Sequence, residues 1–253
     1  MKRWMKWTLL VASAAVLFSG CGQEKSATSS EKGKTFVYAT TGYGREMGDA
    51  GLNPHDNYSG WSAVRYGVGE TLFKFSDSME PMPWLAESYR YIDDHTVEIQ
   101  LRNDVNFSSG RHMDAIAVKE CLDDLLAKHE RARLDLKIDR IDAEGQTITI
   151  HTPEPCPTLI HYLCDPYGAI IDMQQGVKDD NVAGTGPYIA DSVTDTEIYL
   201  HKNDAYWGTK PKVDHVIVKT MTDGNAMTAA LQSGDVDATY GLPYASYALF
   251  SDT

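Results

Sequence analysis

An uncharged, almost wholly apolar run from Thr8 to Phe18 follows a head that carries Lys2, Arg3 and Lys6 and no acid. A bilayer core of roughly 30 Å takes about 20 apolar residues of helix to span. The run is too short for that. A basic head before a short apolar segment is the pattern of a secretory signal, so the rest of the chain is expected to fold on the far side of a membrane. Gly22 to Lys34 then reads as a polar, low-complexity tether with nothing to bury. The body beyond it is 42% apolar counted over the whole chain, enough for a packed core. Setting Lys2, Arg3 and Lys6 aside leaves 20 basic against 36 acidic residues, a net charge of −16. Nucleic-acid binders need a basic face, so that class of partner is excluded. An acidic body draws in cations instead.

Four cysteines are present, at 21, 121, 156 and 164. The last three are odd in number and cannot all pair. Cys156 and Cys164 are two helical turns apart if the segment is helical, too far for a disulfide. All three read as small core residues. The eight histidines are dispersed and form no metal-ligand spacing. His55, in Leu52-Asn53-Pro54-His55, is the one weak candidate for a metal role, against a packing role in its loop. No catalytic motif is present: no Gly-x-Ser-x-Gly, His-Glu-x-x-His, P-loop or Cys-x-x-Cys. The chain reads as no enzyme, and no cofactor is implied.

Short patterned segments run along the body. Strands are predicted at Thr35 to Thr40, Thr71 to Phe75, Ser88 to Tyr91, Thr96 to Leu101, Leu136 to Ile141, Thr147 to His151, Tyr188 to Ser192, Glu197 to His201 and His215 to Lys219. Pro81 and Pro83 flank a predicted turn. Helices are predicted at Ser62 to Gly69, Asp114 to Lys128, Pro157 to Cys164 and Gly224 to Gln232, the last stopped by Gly234. Ile116, Leu122, Leu125 and Leu126 mark the expected buried stripe of the second helix. Strands in runs rather than strict alternation indicate an α+β fold, a mixed sheet with flanking helices.

Two resemblances follow from particular residues. Leu17-Phe18-Ser19-Gly20-Cys21 resembles a bacterial lipobox, with Phe18 where Leu is usual. It implies that residues 1–20 are removed and that Cys21 becomes a lipid-bearing N-terminus on the outer face of the cell membrane. Further on, Gly69-Glu70-Thr71-Leu72, Pro83-Trp84-Leu85-Ala86-Glu87-Ser88 and Leu101-Arg102-Asn103-Asp104-Val105-Asn106-Phe107 stand in order. Gly184-Thr185-Gly186-Pro187-Tyr188, Asn203-Asp204-Ala205-Tyr206-Trp207-Gly208 and Leu231-Gln232-Ser233-Gly234-Asp235-Val236-Asp237 follow. Together they resemble the peptide/nickel/opine family of ABC-transporter solute-binding proteins. The resemblance implies a bilobed periplasmic-binding-protein-like fold of about twice this length, with residues 21–34 as tether, 35–243 as the first lobe and 244–253 as the start of the crossover to a second. A lobe by itself is expected to bind no solute tightly, since bilobed closure supplies much of the buried area.

The implied partners are a small solute, either an oligopeptide or a nickel–chelator complex, and a permease with its ATPase. A sensory or adhesive surface lipoprotein on the same scaffold is the alternative. Candidate ligand-binding residues are Tyr43, Arg45, Tyr58 and Trp61 around the glycine-rich loop, Arg131 and Arg133 beyond the second helix, and Tyr167 and Tyr240 by family position. Aromatic rings stack on ligands, and a guanidinium fork suits carboxylates. A solute with a carboxylate held by Arg131 or Arg133 is therefore expected, unless the two arginines only satisfy helix-end carbonyls. The second arginine of nickel-binding relatives is missing from Asp165-Pro166-Tyr167-Gly168, which tilts the reading slightly toward peptide.

Overall fold

The computed structural model describes residues 33–41, 51–56 and 59–250. Cys21, Tyr43, Arg45 and Tyr58 lie outside the described residues. So do the leader and the tether as far as residue 32. Among the described residues no helix is long and apolar enough to cross a membrane.

Two sheets carry the body. The first has five strands in the order β10 (Tyr188–Val193), β11 (Glu197–Lys202), β12 (His215–Thr220), β1 (Thr35–Thr40) and β13 (Ala238–Tyr240). The three strands β10, β11 and β12 form an antiparallel meander, whereas β1 runs parallel to both β12 and β13. The second is an antiparallel sheet in the order β5 (Ala86–Asp93), β6 (Thr96–Leu101), β8 (Thr147–His151) and β7 (Arg140–Glu144). Alternation sends Val97, Ile99 and Leu101 of β6 and Ile148 and Ile150 of β8 inward, each no more than 1% exposed. Their neighbours Glu98, Gln100, Thr147 and Thr149 take the other face.

Helix α2 (Ala115–Lys128) closes the inner face of that second sheet. Asp114 starts it: its side chain accepts from the Ala117 N–H at 2.8 Å. The buried stripe is Ala117, Val118, Cys121, Leu122 and Leu125; Ile116 is 55% exposed and off the stripe that was expected to include it. Ile116 lies one residue before Ala117, a step of about 100° around a helix.

The chain does not pass straight from α2 into a strand. His129 ends α2 and caps a second short helix, α3 (Glu130–Leu136), its Nδ1 accepting from the Ala132 N–H at 3.2 Å. The strand expected at Leu136 to Ile141 is thus displaced: Leu136 is the buried end of α3, Lys137 turns the chain in the left-handed region at φ 50°, and β7 begins at Arg140. The strand expected at Thr71 to Phe75 splits at Leu72 into β2 (Glu70–Thr71) and β3 (Phe73–Phe75), which pair with different partners. The predicted Pro81–Pro83 turn is β4 (Pro81–Pro83), paired with β3 at an edge where a missing N–H is harmless.

Helix α1 (Ser59–Arg65) begins and ends earlier than Ser62 to Gly69. Helix α4 is a single turn, Leu159–Tyr162, so Cys156 and Cys164 flank it rather than share it. All three described cysteines are free; Cys121 and Cys156 are buried and Cys164 half-buried. Helix α5 (Gly224–Ser233) ends on Gly234 at φ 79° and covers the other face of β1 through Met227, against Ala39 and Val236.

Candidate functional site

Three of the sequence-selected residues come together. Trp61 on α1, Arg131 on α3 and Tyr167 in the short 3-10 turn Pro166–Gly168 line one cavity of about 210 Å³. The close approach that builds it depends on Gly60, where a Cβ would sit 2.6 Å from the Pro166 Cβ. Tyr162 completes the aromatic wall, its ring 6.5 Å from that of Tyr167, and His129 meets the Tyr167 ring edge-on at 5.3 Å.

The charge in this cavity was only partly foreseen. Arg131 pairs with Asp135, one helical turn on, at 3.4 Å. The Tyr167 hydroxyl donates to the same Asp135 carboxylate at 3.0 Å. Burial, that hydrogen bond and the nearby charge of Asp135 push the Tyr167 phenol up to about 12. A second carboxylate, Asp165, also lines the cavity. Burial raises its pKa, and Arg131 offsets that more than Asp135 adds to it. Asp135, Asp165, Tyr162 and His129 were missed in the sequence. Asp135 had a signal, its i,i+4 spacing from Arg131. Asp165 stood in the very segment noted for a missing arginine.

The other candidates sit elsewhere. Arg133 is exposed on a different face of α3 and does not line the cavity. Both arginines lie beyond the end of α2 as expected, but within a further short helix, α3, that the sequence reading did not include. Tyr240 is 57% exposed at the end of β13, with the Arg65 guanidinium 5.6 Å above its ring. His55 is buried: Nδ1 lies 2.7 Å from Asp124 Oδ2, and Nε2 lies 3.4 Å from Cys121 Sγ. Among the described residues no group of three or more His, Cys, Asp or Glu is placed to hold a metal. Both ring nitrogens of His55 face protein atoms, so its geometry serves packing. This Cys–His–Asp row is not a nucleophile either, because burial pushes the Cys121 thiol up to about 12 and closes it to solvent.

Four of the six sequence motifs converge on one buried carboxylate. Glu70 accepts from Trp84 Nε1 at 3.0 Å, Tyr206 Oη at 2.6 Å, Thr185 Oγ1 at 3.0 Å and Trp207 Nε1 at 2.9 Å. A fifth motif joins them through the Arg102 guanidinium, 4.4 Å above the Trp207 ring. Burial raises the Glu70 pKa and the four hydrogen bonds oppose that rise. The aromatic residues of these motifs, Trp84, Tyr206 and Trp207, are half-buried donors. Gly184 allows the same junction: a Cβ there would fall 1.9 Å from the Val68 carbonyl oxygen.

The mixed-sheet lobe with flanking helices is that of a bacterial solute-binding protein. The chain belongs to the bacterial extracellular solute-binding proteins, family 5, whose family model matches residues 80–253. It is 34% identical over 182 residues to the nickel-binding protein NikA of Staphylococcus aureus, covering 71% of this chain and 37% of that protein. It is 30% identical over 215 residues to the glutathione-binding protein GsiB of Salmonella paratyphi A, covering 79% of this chain and 42% of that one. Among solved structures, that of a nickel ABC transporter from Bacillus halodurans superposes with a TM-score of 0.79 at 33% identity, covering 87% of this chain and 46% of that one. The chain thus spans about two-fifths of the length of the curated relatives it matches.

Proposed function

We propose that the protein captures a small solute for an ABC importer and hands it to a membrane permease driven by an ATPase, held at the outer face of the cell membrane by a lipid on Cys21. The observation that carries this reading is the cavity in which Trp61, Arg131 and Tyr167 meet, on a lobe of this family. Aromatic rings backed by a few fixed charges are the usual lining of a solute site. The relatives name two solute classes, nickel and glutathione, and these match the metal-chelate and oligopeptide alternatives drawn from the sequence. Uptake of radiolabelled nickel and of labelled glutathione in cells with and without the protein tests the proposal. Loss of uptake of either, restored by the wild type and not by Trp61→Ala, supports it. Unchanged uptake of both, with no solute retained by the purified protein, refutes it.

A further inference from the structure

We infer that the cavity between α1, α3 and the Pro166–Gly168 turn receives a positively charged group of the solute, an alkylammonium or guanidinium, against the Asp165 carboxylate and the faces of Trp61, Tyr162 and Tyr167. This rests on the reading of that cavity as a solute site and names the chemistry it selects. The sequence alone suggested the opposite, a carboxylate bound at Arg131.

The local charge decides between them. Among the described residues of the lining, Arg131 contributes the one permanent cation, against two carboxylates. Its side chain is 70% exposed and already paired with Asp135, so an incoming anion would compete with a bonded carboxylate and face a second one. Asp135 in turn is engaged at Oδ2 by both Arg131 and the Tyr167 hydroxyl. Asp165 is different. It caps the Pro166–Gly168 turn without a side-chain cap bond, and no side-chain hydrogen bond to its carboxylate occurs among the described residues. A half-buried carboxylate with no hydrogen bond among the described residues, its charge only partly offset by Arg131, beside three aromatic rings matches what a cation needs: an opposite charge and electron-rich faces to lie against. Trp61, 46% exposed, stands ready as such a face. Burial already disfavours the ionised form of Asp165, and a bound cation would reverse that. The acidic body adds long-range attraction of the same sign.

The test is fluorine NMR of the protein labelled with 5-fluorotryptophan, the Trp61 resonance assigned by Trp61→Phe. Butylammonium and ethylguanidinium are titrated as cationic probes and butyrate as the matched anion. The inference expects saturable shifts of the Trp61 signal with the two cations and none with butyrate. Asp165→Asn should weaken cation binding by at least about tenfold, and Asp165→Glu should restore part of it. Both variants are first shown to keep the wild-type fluorine spectrum of Trp84 and Trp207. Shifts with butyrate but not with the cations would overturn the inference while leaving the cavity a solute site. No shift with any probe would overturn both.

Discussion

At the scale of single residues, the site turns on a carboxylate that the sequence displayed without revealing its role. Asp165 is half-buried, and its pKa is raised by burial. The sign of the effect on stability follows. The unfolded chain ionises Asp165 at the ordinary carboxylate pKa and the folded chain only above it, so folding loses stability as pH rises through that interval. Asp165→Asn removes the penalty. Its melting temperature should exceed that of the wild type at neutral pH and match it below the ordinary carboxylate range, as read by thermal melts across pH. A gain that persists unchanged in acid would show that the Asp165 charge is not the cause. The aromatic and arginine members of the site were legible because their residue types advertise ligand contact. Asp165 and Tyr162 were not, because only tertiary structure brings α4 and the Pro166–Gly168 turn against α3; Asp135 was readable only through its i,i+4 spacing from Arg131.

At the scale of elements, alternation was a dependable guide where one strand face meets the core. The bounds of β1, β6 and β8 agree with it, because Val97, Ile99, Ile148 and Ile150 leave the period-two pattern no rival. It failed where a short segment is set by its contacts. The pattern of Leu136 to Ile141 hid a helix end because the capping role of His129 is not a common signal. The Leu72 break between β2 and β3 reflects the Leu72 N–H donating to Gly168 O at 2.9 Å, a partner remote in sequence. The motifs looked like independent scaffold pieces, yet Glu70 ties four of them together. In Glu70→Gln an amide NH2 would face two donors that now have an acceptor. Each donor left unpaired costs about 1–3 kcal/mol, so urea unfolding should show a loss of at least that size, whichever oxygen is replaced. A loss under about 0.5 kcal/mol, the ordinary range for surface changes, would show that the hub does not hold the motifs together.

At the scale of the whole molecule, the family and the fold place this lobe among solute-binding proteins, and the proposed lipid on Cys21 sets where it works. Cys21→Ala should release the protein from cells into the medium, read by fractionation after high-salt washing; retention with the membrane would point to another anchor. The central claim is that the lobe's aromatic cavity holds the transported solute. Native mass spectrometry of the full-length protein isolated from its own cells reads this most directly, since a lobe by itself is expected to hold no solute tightly. The account predicts a population carrying a small noncovalent mass, retained by the wild type and lost in both Trp61→Ala and Asp165→Asn. The same mass retained undiminished by both variants would contradict it.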